Sequence, residues 1–140
     1  MEESRQFDRG RIRFSFKDRG GEEFASFYMN PTDVGLLARA EEVADFFEKR
    51  AGESASFSDA ASIAAYNSEI EEKINYLLGY DASSELFGQV TATTVSPDGE
   101  IFAHAVLDMI AGAIAPELER RGKLMHEHMA KYTAKYEAGK

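Results

Sequence analysis

The feature that most constrains the fold is a long apolar segment near the C-terminus that leads directly into a charged one. Residues 96–98 (Ser-Pro-Asp) are a typical helix start, and Ile101–Ala115 then carries only His104 and Asp108 as strongly polar side chains. A helix that is apolar on nearly all sides has to be buried, whereas the Glu-, Arg- and Lys-rich chain beyond Pro116 favours water. Pro116 is predicted to kink or interrupt the helix, because proline lacks the N–H group that an interior position donates.

Composition and charge narrow the class of protein. The chain has 140 residues, of which 44% are apolar and 11% aromatic, and this is typical of a single globular domain. Its net charge of −9 argues against sequence-independent binding of nucleic acid, since phosphates attract clustered Lys and Arg. Residues 117–140 hold six basic and four acidic side chains, so they carry +2 and the rest of the chain carries −11.

Targeting signals and cysteine chemistry are not apparent in the sequence. The first residues are charged, and no apolar stretch typical of a signal peptide follows them. The apolar segment 101–115 is too short for a membrane span and contains Asp108. The chain has no cysteine, which excludes disulfides, thiolate nucleophiles and Cys-based metal sites. The sequence therefore predicts a soluble cytoplasmic protein that contacts no membrane.

The N-terminal part has the pattern of a β-hairpin. Residues 11–17 alternate strictly between basic or small polar side chains and the apolar Ile12, Phe14 and Phe16. Gly20 and Gly21 favour a turn, after which residues 24–29 form a second predicted strand. In the expected register, the cross-strand neighbours are Phe16 with Phe24, Ile12 with Tyr28 and Lys17 with Glu23.

Two amphipathic helices are predicted to follow the hairpin. Asn30 is expected to cap the first, with Pro31 at its first position, and the helix ends near Gly52. Residues 53–57 are expected to form a polar linker. The apolar face of this helix consists of Leu36, Ala40, Val43 and Phe47.

The second amphipathic helix has its start and its end marked in the sequence. It is capped by Ser58 or Asp59 and stopped by Gly79. Asn67 and Asn75 fall near its apolar stripe; they are satisfied polar contacts or partner-facing groups, and the first interpretation is preferred because buried amides usually find partners. Its apolar stripe consists of Ile63, Tyr66, Ile70, Ile74 and Leu77.

Residues 81–88 have the pattern of a short capped helix closed by glycine, and residues 89–95 are interpreted as a loop rather than a strand. The predicted fold class is α+β, mainly α-helical: an N-terminal β-hairpin is followed by three to four helices and by a helical or flexible C-terminal tail. Residues 1–10 are expected to be a flexible N-terminus, residues 11–116 a single α+β domain, and residues 117–140 a charged C-terminal helical arm. The open hairpin edge and the apolar helix predict a homo-oligomer.

Residues typical of catalysis or metal binding are sparse. His126 and His128 would point in different directions on a helix, and His104 in its apolar segment is more typical of a core or interface histidine. The clusters of Glu and Asp lack the pattern of a calcium-binding loop. We therefore predict that the protein is not an enzyme and binds no metal or cofactor. A hydrolase using His104 with Asp108 is a weaker hypothesis, because no nucleophile can be placed beside the pair.

The charged tail carries an irregular apolar surface in which methionine and tyrosine alternate with charges. Methionine adapts to varied apolar partners, so this surface is typical of a protein that holds another protein. The alternative is an ordinary terminal helix that packs the same side chains onto its own domain. The residues concerned are Leu118, Leu124, Met125, Met129, Tyr132 and Tyr136.

The order of these features resembles the small tail assembly chaperones of long-tailed bacteriophages and of prophages in Gram-positive bacteria. The resemblance covers about 125 residues and has one short signature, Leu86-Phe87-Gly88. It lies in the hairpin Arg11–Tyr28, Asn30-Pro31 opening a charged helix, the Ile70–Leu78 helix, the segments Gly79-Tyr80-Asp81-Ala82 and Glu85-Leu86-Phe87-Gly88, and the Ile101–Ala115 helix with its Lys-rich tail.

The resemblance implies a binding role in the cytoplasm of the host bacterium. Proteins of this family bind the long, apolar, helical tape-measure protein and keep it soluble while tail-tube proteins assemble around it, so both are expected partners. The residues that it implies for partner binding are Phe14, Phe16, Phe24, Phe102, Met109, Leu118, Leu124, Met125, Met129, Tyr132 and Tyr136. The alternative function is a phage protein that binds a host defence protein, as inhibitor or trigger, through its acidic surface.

Overall fold

Two strands and four helices make up the computed structural model, which describes residues 2–51 and 58–138. The α+β, mainly α-helical fold class is confirmed, with the hairpin first and a long helix last. The elements are β1 (Ile12–Lys17), β2 (Glu23–Met29), α1 (Val34–Ala51), α2 (Ala60–Leu78), α3 (Ser83–Leu86) and α4 (Phe102–Ala138).

The hairpin has a register different from the predicted one. Lys17 lies opposite Glu23, as expected, but Phe16 pairs with Ala25 instead of Phe24. The strands are out of step because β2 contains one additional residue, Phe24, at a bulge between Phe16 and Lys17. The predicted pairing of Ile12 with Tyr28 is also wrong, since Ile12 lies opposite Met29.

Helix α1 begins about one turn later than predicted. Asn30 does not cap it; its Oδ1 atom accepts a hydrogen bond of 3.1 Å from the Thr32 amide in the turn that precedes the helix. Asp33 takes the capping role, because its carboxylate accepts a hydrogen bond of 3.0 Å from the Gly35 amide. The predicted end near Gly52 and the linker at residues 53–57 lie outside the described residues.

Helix α2 starts and stops as its sequence indicates. Asp59 is the N-cap, and its carboxylate accepts a hydrogen bond from the Ser62 amide at 2.7 Å. Gly79 ends the helix with φ of 79°, a left-handed conformation that favours glycine. Both asparagines of this helix have partners, as predicted: Oδ1 of Asn75 accepts from the Ser83 amide at 2.8 Å, and Oδ1 of Asn67 accepts from the Thr93 amide at 3.3 Å.

The segment 81–88 closes the core with one helical turn. Leu86 is completely buried and Phe87 is 8% exposed, so the Leu-Phe-Gly signature places two side chains in the core. Gly88 is required by a close approach, because a Cβ atom there would lie 2.7 Å from the carbonyl oxygen of Ser84.

The start of α4 is built differently from its predicted form. Ser96 does not cap the helix; the Ser96 amide donates to the Glu100 carbonyl at 2.8 Å, which closes a turn between Val95 and Ile101. The first α4 amides are satisfied by the preceding loop instead, since the Phe102 amide donates to the Thr94 carbonyl at 2.8 Å.

Helix α4 is one helix of 37 residues with Pro116 inside it. The prediction that Pro116 could interrupt the helix is therefore wrong. Of the two alternatives expected for the tail, helical or flexible, the structure has a helix as far as Ala138. Pro116 is exposed, so its ring projects into solvent and does not meet the body. The predicted boundaries of the α+β domain, after residue 10 and after residue 116, stay predictions.

The core lies between the inner face of the hairpin, α1, α2 and the first half of α4. The helices cover the inner face of the hairpin. This packing is needed because a two-stranded sheet by itself is only marginally stable in water. The completely or almost completely buried side chains at its centre are Phe27, Val43, Ile70, Ile74, Leu77, Leu86 and Val106.

Candidate partner-binding surface

Helix α4 has a buried first half and a solvated second half. Phe102, Val106 and Ile110 are 8% exposed or less, and they pack into the core. Further along, the apolar residues that pack against the core end at Ile114. From Lys123 to Glu137 every residue is exposed. The second half of α4 therefore projects from the body as a helical arm.

The arm exposes the large apolar side chains that the sequence assigns to partner binding. Their exposed fractions range from 39% at Leu118 to 62% at Tyr136. In the alternative interpretation a terminal helix packs these side chains onto its own domain. The structure instead leaves them exposed to solvent. The exposed set comprises Leu118, Leu124, Met125, Met129, Tyr132 and Tyr136.

The two tyrosines near the end of the arm pack against each other. The ring centroids of Tyr132 and Tyr136 are 4.6 Å apart, as expected for neighbours at i and i+4 on one helix face. A hydrogen bond between their hydroxyl groups raises the pKa of Tyr132, and partial desolvation acts in the same direction. They form an aromatic surface with polar edges, which suits contact with another helix.

Arg121 fixes the base of the arm to the body. Its Nη2 atom donates to the Gly10 carbonyl at 2.9 Å, and its Nη1 atom donates to Oδ1 of Asn30 at 3.0 Å. Glu117, one turn earlier, accepts from Arg121 Nε at 3.0 Å. The hydrogen bond from Arg120 to Glu117 holds the pKa of Glu117 below its usual value, and that from Arg121 has the same effect.

The predicted residues of the hairpin and of early α4 lie in a second, separate place. The Phe102 ring meets Phe16 edge-on with centroids 5.1 Å apart, and it meets Phe24 at 5.5 Å. Phe14 stacks on Phe27 at 5.1 Å. Met109, the fifth residue of this group, is partly buried against the core. These side chains act mainly in packing, and their role in partner binding stays a prediction.

Part of this aromatic cluster opens onto the surface. A depression of about 300 Å³ is lined by Phe16, Phe24 and Phe102 together with Lys17 and Glu100. Sequence reasoning overlooked Phe87, whose ring meets Phe102 edge-on with centroids 5.7 Å apart. The signal for it was present in the Leu86-Phe87-Gly88 segment. The structure thus separates the predicted residues into an arm set and a hairpin set.

A further cleft of about 330 Å³ lies where the N-terminal segment crosses the end of the hairpin. The Arg11 guanidinium lies 4.6 Å from the Tyr28 ring centroid and 5.8 Å from that of Tyr80. Burial raises the pKa of Tyr80, whose hydroxyl oxygen accepts a hydrogen bond of 2.7 Å from the Tyr28 amide. This arrangement secures the outer edge of β2.

The histidines are placed apart from one another. His104 is half-buried, with its ring edge-on to Phe47 at 5.9 Å, while Asp108 is exposed, as are His126 and His128. Within residues 2–51 and 58–138, no group of three or more His, Asp or Glu side chains is arranged to hold a metal ion. Over the same residues, no helix is long and apolar enough to cross a membrane.

Comparison of the chain with protein-family models, with curated proteins and with solved structures finds no match.

Proposed function

We propose that this protein is a tail assembly chaperone of a long-tailed bacteriophage or prophage. In this role it binds the tape-measure protein in the cytoplasm of the host bacterium and keeps it soluble during tail assembly. The observation that carries the proposal is the arm: a continuous helix leaves the body at Arg121 and exposes six large apolar side chains. The resemblance in the order of hairpin, helices and tail supplies the identity of the partner.

The chemistry of the arm suits an apolar helical partner. An exposed helix face binds a second helix by packing side chains of the two helices between one another. Met125 and Met129 are flexible and polarisable, so they can follow a partner surface that varies along its length. The tape-measure protein is long, apolar and helical, so a chaperone for it has to bind many apolar helical segments.

The charge of the body suits the same role. Residues 1–116 carry a net charge of −11. Such a charge on the body makes complexes repel one another and so keeps them soluble. The depression lined by Phe16, Phe24 and Phe102 offers a second apolar contact to the same partner or to the tail-tube protein.

Co-expression with the tape-measure protein of the same gene cluster tests the proposal. We expect the chain to move the tape-measure protein from the insoluble to the soluble fraction. The double variant Met125→Glu/Tyr132→Glu should lose this effect, because it puts two charges on the apolar face. The matched control is Ala130→Glu/Ala134→Glu, which adds the same charges to the other side of the arm and should retain it. Absence of rescue by the unaltered chain would contradict the proposal.

Affinity capture from phage-infected or prophage-induced cells separates this function from the second candidate. The strongly acidic body favours, as an alternative, binding to a host defence protein with a basic surface. Recovery of a tape-measure protein supports the chaperone, whereas recovery of a host protein alone supports the alternative.

A further inference from the structure

One face of α4, exposed except at the half-buried Gly122, has a regular period that includes five of the six large apolar residues, all but Leu124. Starting at Ala111, small and apolar side chains recur at intervals that alternate between four and three residues up to Tyr136. This alternation is the heptad repeat of a coiled coil, in which positions a and d form one continuous face. We call this face the α4 seam; it consists of Ala111, Ala115, Leu118, Gly122, Met125, Met129, Tyr132 and Tyr136.

The α4 seam is separate from the face that α4 buries in its own body. Ile110 is 3% exposed while the next residue, Ala111, is exposed. Successive residues of an α-helix are rotated by about 100°, and the seam as a whole lies about that far around the helix from the buried residues. Ala115 is also exposed, so the seam continues along the helix beside the body. A second helix can occupy the seam without displacing the core.

We propose that the α4 seam is the interface of an antiparallel homodimer, in which it packs against the same seam of a second copy of this chain. The size of its side chains specifies the direction. Three of the four residues in the first half are small, namely Ala111, Ala115 and Gly122, with Leu118 the exception, whereas the second half is wide, with methionine and tyrosine. Antiparallel pairing therefore brings narrow layers of one copy against wide layers of the other.

The antiparallel arrangement then pairs a small with a large side chain in three kinds of layer, and two side chains of similar volume, Leu118 and Met129, in the fourth. In the register centred between residues 123 and 124, Ala115 faces Tyr132 of the second copy, and Gly122 faces Met125. Ala111 facing Tyr136 of the second copy follows the same rule. Alternating large and small side chains across an interface fills it evenly, as in a protein core. The four kinds of layer, each present twice in the symmetric dimer, are Ala111 with Tyr136, Ala115 with Tyr132, Leu118 with Met129, and Gly122 with Met125.

A parallel pairing fits less well. It would place Gly122 against Gly122 of the second copy and leave a void in the middle of the interface. It would also place Tyr132 against Tyr132 in a layer that holds two large rings. The same seam thus forms an even interface in one direction and an uneven one in the other.

Charges on and beside the seam agree with the antiparallel direction. Each arm, with a net charge of +2, lies along the first half of the other α4 and close to a body that carries −11. Glu119 flanks the seam and faces His126 of the second copy, whose ring can donate a hydrogen bond to the carboxylate. Pro116 is on the outer surface, so its missing N–H group does not disturb the interface.

Cysteine cross-linking tests the direction directly, because the chain contains no cysteine of its own. In the antiparallel register residue 115 meets residue 132, while two copies of residue 115 are about 25 Å apart along the axis, at 1.5 Å per residue. On mild oxidation the double variant Ala115→Cys/Tyr132→Cys should be converted almost completely to a covalent dimer. Each single variant should remain uncross-linked. The cysteines of one chain cannot join each other, since they are also about 25 Å apart on one helix.

A matched control uses the outer surface of the same stretch of helix. Arg120→Cys/Glu127→Cys places two cysteines at equal heights in the pairing but away from the seam, and it should not cross-link. Cross-linking of both single variants would identify a parallel dimer and overturn the proposal. A monomer mass by light scattering of the unaltered chain, with no cross-link in any variant, would overturn it as well. If Ala115→Cys/Tyr132→Cys loses its helical circular dichroism, Leu118→Cys/Met129→Cys tests the neighbouring layer.

The dimer does not depend on the proposed function, although both use the same face of the arm, so that a tape-measure helix bound there replaces the second copy. Its test requires the purified chain alone, whereas the test of the proposed function requires the tape-measure protein. A dimer without solubility rescue would leave the inference intact and contradict the chaperone. Rescue by a chain that shows no cross-link would do the opposite.

Discussion

Arg121 Nη1 donates a hydrogen bond of 3.0 Å to Oδ1 of Asn30, which lies 91 positions earlier in the chain. The same side chain reaches the Gly10 carbonyl with Nη2 at 2.9 Å. Asn30 in turn donates from Nδ2 to the Arg9 carbonyl at 2.9 Å, so both groups bind the segment that enters β1. This connection sets where the arm leaves the body and joins it to the turn before α1.

Replacing Arg121 by alanine should destabilise the protein by about 1–3 kcal/mol, because part-buried acceptors lose charge-assisted hydrogen bonds. The free energy of unfolding from denaturant titration at fixed protein concentration measures the effect. Arg120→Ala is the matched control: its exposed pair with Glu117 should leave stability nearly unchanged. Equal losses in the two variants would show that the connection to Asn30 and Gly10 contributes nothing.

Glu117 should make stability depend on pH in the acid range. Hydrogen bonds from Arg120 and Arg121 lower the pKa of Glu117 in the folded protein, so the folded state favours its charged form. Its contribution is fully present above the ordinary carboxyl pKa and is lost as pH falls through the lowered value. Glu117→Gln should therefore be less stable at pH 7 and lose less stability between about pH 5 and pH 3. Parallel curves for the two proteins would contradict this origin.

Leu86→Ala should be strongly destabilising. Leu86 is completely buried, and deleting such a side chain costs about 2–5 kcal/mol because a cavity remains. Leu124→Ala removes the same atoms from a residue that is 52% exposed, on the arm but beside the seam, and should cost less than about 0.5 kcal/mol. Thermal or chemical unfolding of both variants checks the difference. A small effect at Leu86 would place the short Leu-Phe-Gly signature outside the core.

Pro116→Ala should stabilise α4. The substitution supplies an N–H group to a helix interior that lacks it and removes the steric conflict of the proline ring, which together amount to about 1–3 kcal/mol. Pro116 is exposed, so no packing is lost with the ring. We expect a higher free energy of unfolding with unchanged cross-linking along the α4 seam. A lower stability would mean that the proline is needed for the path of the helix.

Much of the fold could be predicted because local chemistry decides it. Strict alternation in residues 12–17 produced β1, and Asp59 and Gly79 fixed the ends of α2 through a cap and a left-handed residue. The prediction failed where a neighbour in space took over a local role. Ser96 has the pattern of a helix cap, yet the amides at the start of α4 donate to carbonyls of the preceding loop. The bulge at Phe24 likewise has no signal in the alternating pattern of the two strands.

The candidate site divides in the same way. The sequence by itself determined that residues 117–138 are charged and carry methionine and tyrosine at helical spacing, since composition and spacing are enough for that. Only the tertiary structure decided that Phe14, Phe16 and Phe102 pack inward while Met125 and Tyr132 remain in solvent. The physical reason is that burial depends on which surfaces meet. The core is completed by the first half of α4, and the rest of that helix continues past the end of the body.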